Sequence, residues 1–174
     1  MHIHQAGTLS LSASIIAIGA FDGVHLGHQT IIREMVEQSK HLNVPSVIYT
    51  FDPPPRVYFK NATPLSSIEE KFDKIVKLGV DHVIVANFNA QYLNRSVQHF
   101  MEELSSLNPQ EIIVGNDFRF GNNRSGSIEH LKRSFTVRVI EKICCDKGRV
   151  ISSTRIRELL LNGENEEVHT LLNG

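Results

Sequence analysis

An excess of either charge is missing from this sequence: 18 Lys and Arg stand against 19 Asp and Glu, a net charge of −1. A nucleic-acid partner is advertised by a basic surplus, so none is expected, and no acidic tail marks a disordered end. Cysteine is almost absent. Cys144 and Cys145 are adjacent and badly placed to close a useful loop, which argues against a disulfide scaffold and fits a reducing compartment. Long apolar runs are absent too: none approaches the roughly 18 residues that cross a bilayer, so no membrane partner is expected. Met1-His2-Ile3-His4-Gln5 has neither the basic region nor the apolar stretch of a signal peptide. Repeats, low-complexity tracts and long linkers are missing as well. The expectation is a cytoplasmic chain of one globular domain, since 174 residues suffice to bury about 70% of the surface exposed on unfolding.

What is present is an alternation. Short apolar runs occur at Ile15-Ile16-Ala17-Ile18, Val47-Ile48-Tyr49, Val83-Ile84-Val85-Ala86 and Ile112-Ile113-Val114, each nearly continuous, as in strands buried on both faces of a parallel sheet. A fifth, Val137-Arg138-Val139-Ile140, is broken by Arg138 and belongs nearer an edge. Between them the apolar period lengthens to that of helices: Ile31, Ile32, Met35, Val36 and Leu42; Ile68, Phe72, Ile75 and Val76; Val97, Phe100, Met101, Leu104 and Leu107. A weaker stripe follows at Ile128 and Leu131, and two short helices around Ile156 and Val168 are parted by Gly163. The pattern predicts an α/β fold: a Rossmann-like, doubly wound parallel five-stranded sheet with strand order 3-2-1-4-5. In such sheets ligands bind beyond the C-terminal strand ends, where the strand order reverses.

The first strand runs into Gly19-Ala20-Phe21-Asp22-Gly23-Val24-His25-Leu26-Gly27-His28, with a helix expected to start near Gln29. Three glycines in nine residues let the backbone turn tightly beside a ligand, and the helix turns unpaired N–H groups and a positive dipole end on the same spot. His25 and His28 add donors at a spacing that lets both face one anion. Three readings compete: a tight turn with surface histidines, a metal site that needs further ligands, and a phosphate site, which the glycines favour.

The second strand leads into Phe51-Asp52-Pro53-Pro54-Pro55-Arg56-Val57-Tyr58-Phe59. Consecutive prolines make a stiff, extended, apolar wall, which with Phe51 and Phe59 either lines a slot for a flat aromatic ligand or merely caps the sheet edge. Gly115-Asn116-Asp117-Phe118-Arg119-Phe120-Gly121 follows the fourth strand, so Asp117 should face Asp22 and His25 across the crevice. The polar, glycine-bounded loop after it is expected to be mobile, and the plain alternative for Phe118 and Phe120 is core at a strand end. After the fifth strand comes Ile151-Ser152-Ser153-Thr154-Arg155-Ile156-Arg157. A serine N-cap followed by two first-turn arginines opposes the helix dipole, which suggests an anion clamp; solvated arginines are the plain alternative.

His25-Leu26-Gly27-His28 resembles the H-x-G-H signature of the nucleotidyltransferase superfamily. The longer run from Phe21 to Gln29 is similar to the adenylyltransferase module of bacterial bifunctional riboflavin kinase/FAD synthetases. Three further segments resemble that family's T-F-x-P-x-P-R-x-x-F, G-x-D-F-R-F-G and I-S-S-T-x-I-R stretches. The departures are Asp52 for a common glutamate, Pro54 for a histidine, Ala20 for an asparagine and Ser127 for an aspartate.

The resemblance implies an FAD synthase that transfers AMP from ATP to FMN, releasing pyrophosphate. It implies ATP at Gly19, Phe21, Asp22, Gly23, His25, Gly27, His28, Ser152, Ser153, Thr154 and Arg157, with His25, His28 and Arg157 catalytic. Pro53, Pro55, Phe59, Asp117 and Phe120 would surround the flavin. Mg²⁺ would ride on the triphosphate, with no metal site of the protein's own. The expected partners are ATP and FMN, with a weak homo-oligomer or a separate riboflavin kinase as the source of FMN. The chain stops at Leu171-Leu172-Asn173-Gly174, where the family continues into a kinase barrel, so a single adenylyltransferase domain over 1–174 is expected. A non-catalytic FMN sensor, or a nucleotidyltransferase with another acceptor, is the alternative.

Overall fold

The computed structural model describes residues 1–173; Gly174 lies outside the described residues. Its frame is one parallel sheet. The expected strands are β2 (Ser14–Ile18), β3 (Ser46–Asp52), β4 (His82–Asn87), β5 (Pro109–Gly115) and β8 (Val137–Ile140). A further strand, β1 (His2–Gln5), pairs with β4, so the sheet has six strands in the order β1-β4-β3-β2-β5-β8, not five. The sequence hides β1 because His2-Ile3-His4-Gln5 is an exposed edge with no apolar run to detect. The other five lie side by side as expected, with β2 between β3 and β5.

Alternate residues of the central strands feed two cores. Ile16 and Ile18 pack with Phe100 and Leu104 of α5 (Val97–Ser105) and Leu131 of α6 (Ile128–Lys132). Ile15 and Ala17 pack with Ile32, Met35 and Val36 of α1 (Leu26–Leu42) and Ile75 of α3 (Ile68–Lys77). Helices therefore cover both faces, which is why the strands read as unbroken apolar runs. A third cluster joins α7 (Ser153–Leu161) to α8 (Asn165–Asn173) through Ile156, Leu159, Val168 and Leu171. Among the described residues no helix is long and apolar enough to cross a membrane.

Local chemistry moves three boundaries. Helix α1 begins at Leu26, not near Gln29, because the His25 side chain caps it by accepting the His28 N–H at 3.3 Å. Histidine lies outside the usual capping set, so the signal is easily missed. The proline run is not extended throughout: Pro55 opens a helix, α2 (Pro55–Lys60), at the first position, where proline's fixed φ and missing N–H suit it. One more turn, α4 (Ala90–Leu93), follows β4, capped by Asn89. A small hairpin of β6 (Arg119–Phe120) and β7 (Gly126–Ser127) stands apart from the main sheet.

Candidate functional site

The chain from β2 to α1 is held from outside at every carbonyl between Ala20 and Val24 except one, which closes the turn itself. Ala20 O accepts from Lys71 Nζ and from Thr50 Oγ1, both at 3.0 Å. Phe21 O accepts from the Val24 N–H at 3.2 Å. Asp22 O accepts from Ser153 Oγ at 3.1 Å, Gly23 O from Lys74 Nζ at 3.1 Å, and Val24 O from Gln29 Nε2 at 3.0 Å. A trans peptide unit points its C=O and N–H in opposite directions, so carbonyls drawn into the protein leave N–H groups facing away from it. The conformation is strained: Phe21 and Val24 take φ of 46° and 42°, and Gly23 takes 79°. A Cβ at Gly23 would also meet Leu65 at 3.0 Å and Leu172 at 3.1 Å, so only glycine fits there. The N–H groups of Leu26 and Gly27 precede the first bond of α1, from Gln29 N to His25 O, and belong to the unpaired set of a helix start.

The two histidines stack rather than splay, with ring centroids 3.6 Å apart and planes 15° from parallel. His25 Nδ1 serves as the helix cap, which assigns its ring proton to Nε2. Burial pushes the His25 pKa down to about 4, against a partial upward pull from Asp22. His28 is also held well below its ordinary value, by burial first and then by His25 and Lys71. Both imidazoles are therefore neutral at pH 7 and act as N–H donors, not cations. His28 Nδ1 is buried with no partner, and Phe21 meets the ring edge-on at 5.2 Å. Among the described residues, neither His25 nor His28 belongs to a group of three side chains that could hold a metal ion.

Beyond the C-terminal ends of β2 and β5 opens a cavity of about 720 Å³. It gathers Gly19, Phe21 and His28 from one side, Asp117 and Phe120 from another, and Pro55 and Phe59 of α2 from a third. Pro53 does not line it. Phe59 is 58% exposed and stands edge-on to Phe88 at 5.8 Å, while Phe120 is only 8% exposed and packs on Phe100 at 4.9 Å. Phe120 is thus both core and lining, which joins the two readings of its sequence. Phe88 and Tyr92, which also line the cavity, were not singled out in the sequence; their one signal is their position just past a strand end. The loop at Gly121–Arg124, expected to move, is fastened by Asn122 N to Arg95 O at 2.7 Å. Arg95 in turn pairs with Glu103, which accepts from Tyr49 OH at 3.2 Å, so a buried polar network backs the aromatic wall.

The peptide after β8 meets the turn after β2. Ser152 caps α7 by accepting the Arg155 N–H at 3.2 Å, and Ser153 reaches Asp22 O. The Arg157 guanidinium pairs with the Asp22 carboxylate and donates to Thr63 O at 3.0 Å; Asp22 also accepts from the Leu65 N–H at 2.9 Å. Arg155 pairs with Glu167. The Thr154 hydroxyl contacts the Arg56 guanidinium. Asp22, Gly23, His25, Gly27, Ser152, Ser153, Thr154 and Arg157 accordingly form a second group, outside the cavity lining. Lys71 and Lys74, which grip that turn from α3, were read in the sequence only as part of a helix.

Comparison with known proteins adds an independent line. A family model described as FAD synthetase matches residues 8–155. A Geobacillus thermodenitrificans chain named for riboflavin kinase and FMN adenylyltransferase is 50% identical over 173 residues, covering 99% of this chain and 97% of that one. The bifunctional riboflavin kinase/FMN adenylyltransferases of Haemophilus influenzae and Listeria monocytogenes are 36% and 34% identical, and the chain spans 58% and 53% of their lengths. A solved structure described as a macrolide-efflux protein from Streptococcus pneumoniae superimposes with a TM-score of 0.84 at 26% identity, over all of this chain and 62% of that one.

Proposed function

The chain belongs to the FAD synthetase family, and on that premise we propose that its crevice joins FMN to the adenylyl group of ATP, giving FAD and pyrophosphate. The observation that carries the reading is the turn from Ala20 to Val24, whose carbonyls are all occupied: four accept from side chains outside it, and Phe21 O closes the turn on the Val24 N–H. A polyphosphate needs donors without competing oxygens, and such a turn at a helix start supplies them. The aromatic lining of Phe59, Phe88 and Phe120 suits a flat tricyclic acceptor better than a small aliphatic one.

The FMN phosphate has a second pKa of about 6, so it reaches the site largely as a dianion and needs no general base. One of its oxygens attacks the α-phosphorus of ATP; the bond from that phosphorus to the β-phosphate bridge breaks, and pyrophosphate leaves. Neutral His25 and His28 donate N–H to oxygens of the α- and β-phosphates as charge builds there. Ser152, Ser153 and Thr154 present the start of α7 to the β- and γ-phosphates. Arg157 serves the same tail through Asp22, holding the two phosphate-binding peptides together. Mg²⁺ would arrive with the triphosphate and neutralise part of its charge. Asp117, Pro55 and Phe59 surround the flavin.

The described residues form one adenylyltransferase unit built on a single parallel sheet, and the FMN it uses is the product of a riboflavin kinase activity. Two free cysteines accord with a cytoplasmic setting. The decisive experiment incubates the protein with FMN, ATP and Mg²⁺ and separates the products by chromatography. FAD formed together with pyrophosphate is the expected result. Bound flavin without turnover would overturn the reading in favour of an FMN sensor.

A further inference from the structure

Three guanidinium groups converge near the start of α7, and they are not equivalent. Arg155 is neutralised by Glu167 and also donates to Val150 O at 3.2 Å. Arg157 is neutralised by Asp22 and held by two carbonyls, Thr63 O at 3.0 Å and Ser153 O at 3.3 Å. Arg56 forms no ion pair among the described residues. Its single side-chain hydrogen bond among the described residues is to the Thr154 hydroxyl, and its Nε is buried without an acceptor. The two arginines that the sequence offers as an anion clamp are thus already charge-balanced. The third, on a different element, is not.

Its placement is as telling as its charge. Arg56 lies in the first turn of α2, where the helix dipole disfavours a cation, so local stability does not account for it. Pro55 and Phe59 of the same helix line the cavity, while Arg56 reaches across to Thr154 of α7. It therefore bridges the wall assigned to the flavin and the helix start assigned to the phosphates. Because the Thr154 oxygen accepts from Arg56, the hydroxyl hydrogen remains available to a further acceptor. A planar fork with donors to spare, next to a free hydroxyl at a helix N-terminus, is suited to phosphate oxygens.

We propose that Arg56 is a further substrate-binding residue, whose guanidinium receives the polyphosphate tail of ATP beside Thr154. The proposal rests on the adenylyl-transfer reading above for the identity of its ligand. With the tail bound, the charge that Arg56 lacks is supplied by the nucleotide rather than by a side chain. Arg157 and Asp22 then shape the site, and Arg56 touches the ligand.

The test compares wild type with Arg56→Met and Arg56→Lys. Calorimetry titrates ATP and, separately, inorganic pyrophosphate; quenching of flavin fluorescence reports FMN binding. Loss of the guanidinium in Arg56→Met should weaken ATP and pyrophosphate about 10- to 100-fold, with FMN affinity within about twofold. Arg56→Lys should recover part of the loss, because charge remains but the fork does not. Unchanged ATP and pyrophosphate affinity in Arg56→Met overturns the proposal. So does a loss confined to FMN, which would assign the guanidinium to the flavin phosphate. If Arg56→Met does not fold, Arg56→Lys decides: ATP binding indistinguishable from wild type counts against the role, and a clear weakening supports it. Wild-type protein that binds pyrophosphate yet forms no FAD would refute adenylyl transfer, while the pyrophosphate titrations still judge Arg56.

Discussion

The Lys71 ammonium donates to the Ala20 carbonyl oxygen at 3.0 Å from a side chain that is 2% exposed. It also reaches Phe51 O at 3.3 Å, so one buried cation ties the C-terminal end of β3 to the turn that follows β2. Burial lowers its pKa, against the upward pull of Asp22 and Asp52. Lys71→Met should leave these carbonyls short of a donor and cost about 2–3 kcal/mol, as expected for hydrogen bonds to a charged group. Urea unfolding measures this, and calorimetry should show weaker ATP binding as the turn relaxes. Stability within about 0.5 kcal/mol of wild type would mean that Thr50 alone suffices.

His28 lies at the cavity wall with one ring nitrogen unpartnered. His28→Ala should lower turnover about 10²- to 10³-fold, the loss typical of one transition-state donor. Steady-state FAD formation provides the check, and turnover within about twofold of wild type would remove His28 from the mechanism.

Arg157 and Asp22 form a largely buried ion pair between peptides far apart in the chain. Removing one partner strands the other, so Arg157→Ala should destabilise by roughly 3 kcal/mol and weaken ATP. In Arg157→Ala/Asp22→Asn the loss should be smaller than the sum of the two single losses. Strict additivity in a double-mutant cycle would show that the pair is not coupled.

Phe59 and Phe120 separate binding from folding. Phe59 is 58% exposed, so Phe59→Ala should reduce FMN affinity about tenfold with little change in melting temperature. Phe120 is 8% exposed, and Phe120→Ala should cost about 3–5 kcal/mol of stability besides any effect on FMN. Equal melting temperatures for the two variants would contradict the packing described.

His25 makes stability depend on pH with a definite sign. Its pKa falls from 6.5 to about 4 on folding, so between those values the unfolded chain holds the extra proton. Stability from this residue is complete above pH 6.5 and is lost as pH falls toward about 4, at up to about 1.4 kcal/mol per pH unit. His25→Asn keeps a capping side chain but cannot titrate, so its urea-unfolding stability should fall less steeply over that range. Parallel pH profiles for the two proteins would disprove the assignment.

The site was legible in the sequence wherever its signal is local. Glycines and histidines packed between an apolar run and a helix mark the turn after β2, and prolines followed by aromatics mark an apolar wall after β3, though not that Pro55 turns it into a helix. What escaped were partners. Lys71 reads as one more polar residue of a helix, since nothing nearby in the chain shows that it points at Ala20, 51 residues away. Arg157 reads as a free cation, since Asp22, which neutralises it, lies 135 residues earlier. β1 was missed for a related reason: an exposed edge strand need not be apolar, and only its pairing with β4 defines it.

Periodicity and turn chemistry, properties of neighbouring residues, therefore determined the five core strands, the helices between them and the four segments that follow the strand ends. Tertiary structure decided which charges are already balanced, which carbonyls are withdrawn from the crevice and which imidazoles are kept neutral. Those outcomes depend on desolvation and hydrogen-bond partners brought together only when the sheet closes, and a local pattern does not encode them.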